Sequence, residues 1–309
     1  SIVIPTYNRA SFLDYSLETH IPLAKEYNIS IYIFDNASSD NTNEVVKKWM
    51  KQYQLLYYSV NEENLGSDVN FVRALNRPCT DYVWPLGDTS KIEKEVLKSV
   101  VKQSKQSFDL ILLNDQGRVL DIPTQILLDK NALFSNLGWQ MSQMSSVIFR
   151  KRVIKKSNFT RFYDTNFIHV GIIFEYLSYQ ESVSVNWNQD LSIEVLTKEG
   201  IMKTSWHNIT FDLWIKKWAN FILSLPVVYS LDSKLKVIQE HNEKAGLFGL
   251  KNLLLLRSQG YYSIGHYISY RKYFGISLKH TPTVMFLCVA LLPVKPLSFI
   301  IALYRKGSQ

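Results

Sequence analysis

Two stretches decide the reading of this chain: Ser1-Ile2-Val3-Ile4-Pro5-Thr6-Tyr7-Asn8-Arg9, and Ile29-Ser30-Ile31-Tyr32-Ile33-Phe34-Asp35-Asn36-Ala37-Ser38-Ser39-Asp40-Asn41-Thr42. Each begins as a short β-rich run and stops on polar turn residues. Between them Ser11–Glu26 carries a helical pattern, with Ser11 or Asp14 near its start. Working outward, a helix is predicted over Thr42–Tyr53, with Val45, Val46, Trp49 and Met50 as its apolar residues. Strands follow at Leu55–Val60, Tyr82–Leu86 and Leu110–Leu113, with helices at Val69–Leu75 and Ile92–Gln103. Strands separated by helices of this length imply βαβ units and a mostly parallel sheet. In such sheets ligands gather beyond the C-terminal ends of the strands.

Residues 116–210 are less regular and read as a mixed segment that completes the sheet and supplies an acceptor site. From Phe211 the pattern is helical and basic. The expected organisation is an α/β domain over 1–210 and a helical region over 211–309. The chain has a net charge of +8, and from Lys234 onward 11 Lys and Arg face only Glu240 and Glu243. The positive charge is therefore a property of the tail. No helix-turn-helix, zinc-finger or RNA-recognition signature accompanies it, so an anionic membrane surface suits it better than nucleic acid. Pro282–Tyr304 is apolar but interrupted by Pro293, Lys295 and Pro296. Each half is about ten residues, short of the roughly 20 that span a hydrocarbon core. The expectation is a bent hairpin lying in the membrane interface, with Lys279, Arg305 and Lys306 at lipid phosphates. Cys79 and Cys288 stand far apart and imply neither a disulfide framework nor a Cys-based metal site, which suits a reducing compartment. No secretory signal is visible; the chain opens directly on a core strand, which leaves room for a few native residues ahead of it.

Four loops at strand ends carry the candidate chemistry. Pro5-Thr6-Tyr7-Asn8-Arg9 collects polar groups where a helix begins, a place whose free N–H groups favour a phosphate or polar ring. In Asp35–Thr42, the Asp35 carboxylate can accept from a uracil imide or a ribose hydroxyl, whereas Asp40 and Thr42 suit helix capping. Asn61-Glu62-Glu63-Asn64-Leu65-Gly66-Ser67 has a glycine that permits a tight turn or close backbone approach. Trp84-Pro85-Leu86-Gly87-Asp88-Thr89-Ser90 presents a carboxylate able to bind a divalent cation on a diphosphate.

In order and spacing these loops resemble family 2 glycosyltransferases of the GT-A fold: a Rossmann-like, mixed and mostly parallel sheet flanked by helices. The likeness is close over 1–115 and looser to about 180, through Ser145–Arg150 and Thr165–Val170. The resemblance implies a nucleotide-diphospho-sugar donor, with Pro5, Thr6, Tyr7 and Asp35 at base and ribose and Asp88 near diphosphate and metal. Asn8, Arg9, Asn64 and Gly66 complete the expected nucleotide-binding set. It also implies a glycan or polyprenyl-diphosphate-linked acceptor in bacterial surface-polysaccharide synthesis, such as capsule, at the inner face of the plasma membrane. The chain departs from the family at Asp88-Thr89-Ser90, where serine replaces the usual last carboxylate. A Mn or Mg ion would have Asp88, with Ser90 or His207 as further candidates. The acidic pair that usually provides the general base is missing too, which leaves Asp164 or His169; helix capping for Asp164 and a bonded core role for His169 compete with this. Trp139, Trp187 and Trp206 are candidates for a sugar-stacking platform. A catalytically degenerate binding or scaffolding protein is the second reading. A dinucleotide oxidoreductase is disfavoured, because no Gly-x-Gly-x-x-Gly follows the first strand.

Overall fold

The computed structural model describes residues 1–197, 206–280 and 282–306. Among the described residues nine strands form one sheet: β1 (Ile2–Thr6), β2 (Ile31–Asp35), β3 (Leu56–Val60), β4 (Tyr82–Pro85), β5 (Ser90–Lys91), β6 (Leu110–Asp115), β7 (Gln125–Leu127), β8 (Val147–Arg150) and β9 (Val185–Val195). Their order is β3-β2-β1-β4-β8-β6-β9-β5, with β7 paired to β9. Strands β1 to β4 run parallel, so their C-terminal ends share one edge. Strand β8 is antiparallel to both β4 and β6, so β6 ends on that edge too. The mixed, mostly parallel sheet agrees with the expected fold class. Residues 116–197, irregular in sequence, contribute β7, β8 and β9 to it.

Among the described residues seven helices precede β9 in the chain: α1 (Ala10–Tyr27), α2 (Thr42–Met50), α3 (Ser67–Asn76), α4 (Lys94–Gln103), α5 (Lys130–Leu137), α6 (Lys151–Lys155) and α7 (Ile168–Ser178). Leu13, Leu17, Ile21 and Ala24 of α1 face a core shared with Ile4, Ile33, Val46 and Trp84. Apolar residues spaced by three and four make that buried stripe. Asp14 does not cap α1. Its Oδ1 accepts from Lys48 Nζ at 2.7 Å and Trp49 Nε1 at 2.6 Å, which ties α1 to α2.

The chain divides into two compact units, residues 1–133 with 140–202, and residues 134–139 with 203–309. The second unit thus includes a short piece of chain well ahead of the expected boundary at 210. It contains α8 (Trp218–Ser224), α9 (Leu231–Lys244), α10 (Leu250–Ser258), α11 (Ile264–Tyr270), α12 (Phe274–Ser277), α13 (Thr283–Leu291) and α14 (Val294–Lys306). Its centre is aromatic: Phe211 stacks on Tyr262 at 4.7 Å and meets Phe248 edge-on at 5.2 Å. Helices α13 and α14 meet at a 100° bend. No single described helix is long and apolar enough to cross a membrane, although this bent pair qualifies by length and composition.

Candidate functional site

The four loops singled out above converge because their strands are neighbours. The loop after β1 is joined to the loop after β2 by Asn8, whose backbone N–H donates to Ser38 Oγ at 2.8 Å. The Asn8 carboxamide oxygen in turn accepts from Ser39 N at 2.8 Å. Asp40 has the expected capping role and extends it to a second helix. Its Oδ1 takes the Thr42 hydroxyl and N–H, and its Oδ2 takes the N–H of Ala10 at the start of α1.

Asp35 ends β2 and is 2% exposed. Its Oδ1 accepts from Ser38 N at 2.9 Å and its Oδ2 from the Tyr58 hydroxyl at 2.6 Å. Burial and the neighbouring carboxylate push the Tyr58 phenol up, so it stays a donor. Two of the roughly four acceptor positions of a carboxylate remain for a ligand. Tyr7 presents an exposed ring beside this loop, while Pro5 is half-buried within β1.

Asn36 was not legible as a site residue, yet it organises the third loop. It is 3% exposed, donates through Nδ2 to Asn64 Oδ1 at 2.7 Å, and accepts through Oδ1 from Leu65 N and Asn61 Nδ2. Asn61 also donates to Asn70, which donates to the Phe34 carbonyl. Asn64 further accepts from Gly66 N at 2.9 Å, and Gly66 itself adopts φ 83°, where a Cβ would be strained. Asn64 and Gly66 therefore shape the loop from within. A pattern of four asparagines at 36, 61, 64 and 70 was the available signal, but only folding makes them neighbours.

Asp88, at the tip following β4, is 8% exposed. Arg9 Nε donates to its Oδ2 at 2.6 Å, and the guanidinium lies 4.0 Å above the Phe12 ring. Burial pushes the Asp88 carboxyl up, and Arg9 pulls it back. Ser90 turns inward: its hydroxyl lies 2.8 Å from that of Ser145, which also accepts from Gly87 N. A hard cation needs several oxygen ligands. The loop offers one carboxylate already bonded to Arg9 and a serine held by another serine. No group of three His, Cys, Asp or Glu among the described residues could hold an ion. These side chains do not fit an ion held by Asp88 and Ser90. The His207 side chain lies outside the described residues.

The two candidate bases separate clearly. His169 is 6% exposed, its ring packs 5.8 Å from Phe71, and its Nε2 lies 3.0 Å from the Ser142 carbonyl oxygen. That nitrogen must carry the proton and donate it. Burial lowers the His169 pKa to about 4, so the ring, expected as a candidate base, sits in the core as a neutral donor. Asp164 is exposed and left-handed, with φ 65°, in the turn before α7. Asp68, in the first turn of α3, accepts from Asn166 N at 3.1 Å and brings that turn to the third loop. Gly171 permits the arrangement, since a Cβ there would sit 2.5 Å from the Phe162 ring. Two of the three tryptophans expected as a platform lie in the interior. Trp139 and Trp187 are buried, and Trp187 donates to the Ile122 carbonyl; the Trp206 side chain lies outside the described residues.

The sequence reading also missed Asp115. It ends β6 on the same edge, is 4% exposed and is paired with Arg118. Burial pushes its carboxyl up. The chain turns sharply just after it, with Gln116 at φ 52° and Gly117 at φ 64°. Left-handed residues also stand at Asn8, Ala37, Asp164 and Asn166, so unusual backbone concentrates around these loops, as functional sites commonly show.

Comparison with known proteins meets this geometry. Residues 1–114 match the family model "Glycosyl transferase family 2". The abequosyltransferase RfbV of Salmonella typhimurium is 32% identical over 125 residues, which are 40% of this chain and 37% of that protein. An uncharacterized glycosyltransferase of Mycoplasma genitalium, MG060, is 31% identical over 119 residues, 37% of this chain and 40% of its own. The matched region thus spans well under half the length of these curated relatives. The fold likeness runs further. S. aureus TarS 1-349 in complex with UDP-GlcNAc gives a TM-score of 0.55 at 16% identity, covering 99% of this chain and 91% of that one. The mannosyltransferase PcManGT of Pyrobaculum calidifontis, in complex with GDP-Man and Mn2+, gives 0.56 at 14% identity, covering 94% and 85%. The architecture is that of GT-A glycosyltransferases.

Proposed function

We propose that this chain is a glycosyltransferase that moves a sugar from a nucleotide-diphospho-sugar, with UDP as the leading nucleotide, to a hydroxyl of a glycan or lipid-linked acceptor. The observation that carries this reading is the gathering of Thr6, Asp35, the Asn64–Gly66 turn and Asp88 on one edge of four parallel strands. Tyr7 is the ring available to lie on the base, and Asp35 has acceptor positions for an imide or ribose hydroxyl. A divalent cation, such as the Mn2+ in the PcManGT complex, would find Asp88 as its single carboxylate at the fourth loop.

For inverting transfer, the acceptor oxygen attacks the anomeric carbon as the bond from that carbon to the diphosphate breaks. Asp164 takes the acceptor proton, and the nucleoside diphosphate leaves with the bonding pair. An exposed carboxylate on a turn tied to α3 suits this task better than a buried histidine that already donates. The direct test is sugar transfer or slow donor hydrolysis across UDP- and GDP-sugars. Asp88→Ala should lower turnover by roughly 10²–10³; unchanged turnover would sink the assignment. The second reading, a degenerate nucleotide-sugar-binding or scaffolding protein, rests on the inward Ser90, and donor binding without turnover on any acceptor would favour it.

A place at the inner face of a bacterial plasma membrane, in surface-polysaccharide synthesis, completes the proposal. Its support is the exposed apolar surface of α13 and α14, with Val284, Leu291, Phe299, Ile300 and Leu303 all more than half exposed, in the most basic part of the chain. Co-sedimentation with vesicles should require anionic lipid and weaken as salt rises. Equal sedimentation with neutral vesicles would count against it.

A further inference from the structure

We infer that Arg9 is the cation that receives the donor's diphosphate, with Asp88 as its positioning partner, so that nucleoside diphosphate binds without a divalent metal ion. The inference rests on the donor reading above. Three observations lead to it. First, the carboxylate expected to hold a metal is already engaged: Asp88 Oδ2 accepts from Arg9 Nε at 2.6 Å. Second, the neighbouring position that would complete a metal site is closed, because Ser90 and Ser145 share a hydrogen bond in the interior.

Third, Arg9 has bonding capacity left over. Its Nη2 is buried without a protein partner, and so is the hydroxyl of Thr6, three residues earlier at the tip of β1. Buried polar groups without partners are uncommon and costly, so two of them at one strand end mark a place for ligand oxygens. A guanidinium has five N–H donors in a planar fork that matches phosphate geometry. Asp88 engages the Nε edge, and the Phe12 ring supports the plane at 4.0 Å. The remaining fork is held in a fixed orientation before the donor arrives. Asp88 on this view is a positioning residue for Arg9 rather than a metal ligand. The consequence for chemistry is local: as the bond to the anomeric carbon breaks, charge growing on the departing diphosphate meets a fixed guanidinium.

The test is calorimetric titration of the full chain with UDP, in EDTA and again in excess Mn2+. Affinities that agree within about twofold support the inference, and UDP binding that collapses in EDTA and returns with Mn2+ overturns it while leaving the donor reading intact. Absence of binding for both UDP and GDP in both conditions would overturn the inference together with the donor reading. Arg9→Gln and Arg9→Lys, checked for unchanged melting, extend the test. The Gln variant should lose about ten- to hundredfold in UDP affinity, the loss expected for charge-assisted hydrogen bonds. The Lys variant should lose less, and uridine, which lacks phosphates, should bind all three proteins alike. Equal UDP affinity in wild type and Arg9→Gln would also overturn it. Asp88→Asn supplies the readout that a purely structural role would not move: it should weaken UDP while metal indifference persists, whereas a metal ligand's removal would abolish a Mn2+ effect.

Discussion

At the tips of β1 to β4, polar side chains bond one another across 25 to 36 positions of sequence, as Asn36 does with Asn61 and Asn70 does with the Phe34 carbonyl. The centre of the helical unit is built from ring contacts: Phe211 reaches Phe248, Tyr262 and Phe286, and Phe274 lies 4.5 Å from Phe286. The first kind of contact is directional and fixes the positions of donors and acceptors. The second is governed by buried area and tolerates sliding. The difference matches the uses proposed for the two regions. A site for a polar ligand needs atoms held in place, whereas a surface meant for lipid needs apolar area and charge. Polar ties occur in the helical unit too: Asn242 Nδ2 donates to the Ser277 carbonyl at 2.8 Å, Ser277 Oγ donates to the Ile215 carbonyl at 2.8 Å, and Lys234 is a further case. It is 7% exposed, and its ammonium donates to the Leu225 carbonyl at 2.6 Å, just beyond the end of α8.

The comparison can be broken most forcefully at Phe211. Phe211→Ala should cost about 3–5 kcal/mol in the helical unit, through lost burial and a residual cavity. Denaturant melts followed by tryptophan fluorescence should show it, with nucleotide binding by the sheet unit retained at low denaturant. Simultaneous loss of both would mean that the units do not behave separately.

Acid should weaken the sheet unit next. Burial lowers His20 and His169 from 6.5 to about 4. Below 6.5 the unfolded chain takes up protons that these buried rings refuse, so stability falls as pH drops from about 6.5 toward 4 and is fully present above that window. Each ring contributes up to ~3 kcal/mol. Urea melts at stepped pH would measure the slope, and His20→Gln should flatten it.

Asn36→Ala should cost about 2 kcal/mol, because Leu65 N and the Asn64 carboxamide lose a buried partner. The same variant should weaken UDP binding through the displaced third loop, which a stability effect spread evenly over the unit would not do. The smallest expected change is at Gly171. Gly171→Ala should cost roughly 1–2 kcal/mol by pushing on Phe162. Its sharper signature is kinetic: turnover should fall through the Asp164 turn while donor affinity holds. Equal loss in both would detach Asp164 from the acceptor step.

Much of this was readable along the chain. Ile2–Thr6 and Ile31–Asp35 are near-continuous apolar runs ended by polar turns, and their spacing around an 18-residue helix left few alternatives to a parallel pair. Asp40 as a cap was readable because a cap acts on residues two positions away. The tail's charge and its proline-broken apolar run were readable because composition is additive. Such properties depend on neighbours in sequence, and the amino-acid order determines them before any folding.

Tertiary structure decided the rest, because it depends on which side chains meet. Nothing along the chain reveals that Arg9 would face Asp88, 79 positions away, or that Ser90 would spend its hydroxyl on Ser145. His169 and Asp164, equal candidates by residue type, differ in burial and in the bond His169 already makes to the Ser142 carbonyl. A hydrogen bond or a desolvated charge exists only once two distant segments occupy the same few ångströms, and parallel pairing of β1 with β4 is what brings Arg9 and Asp88 there.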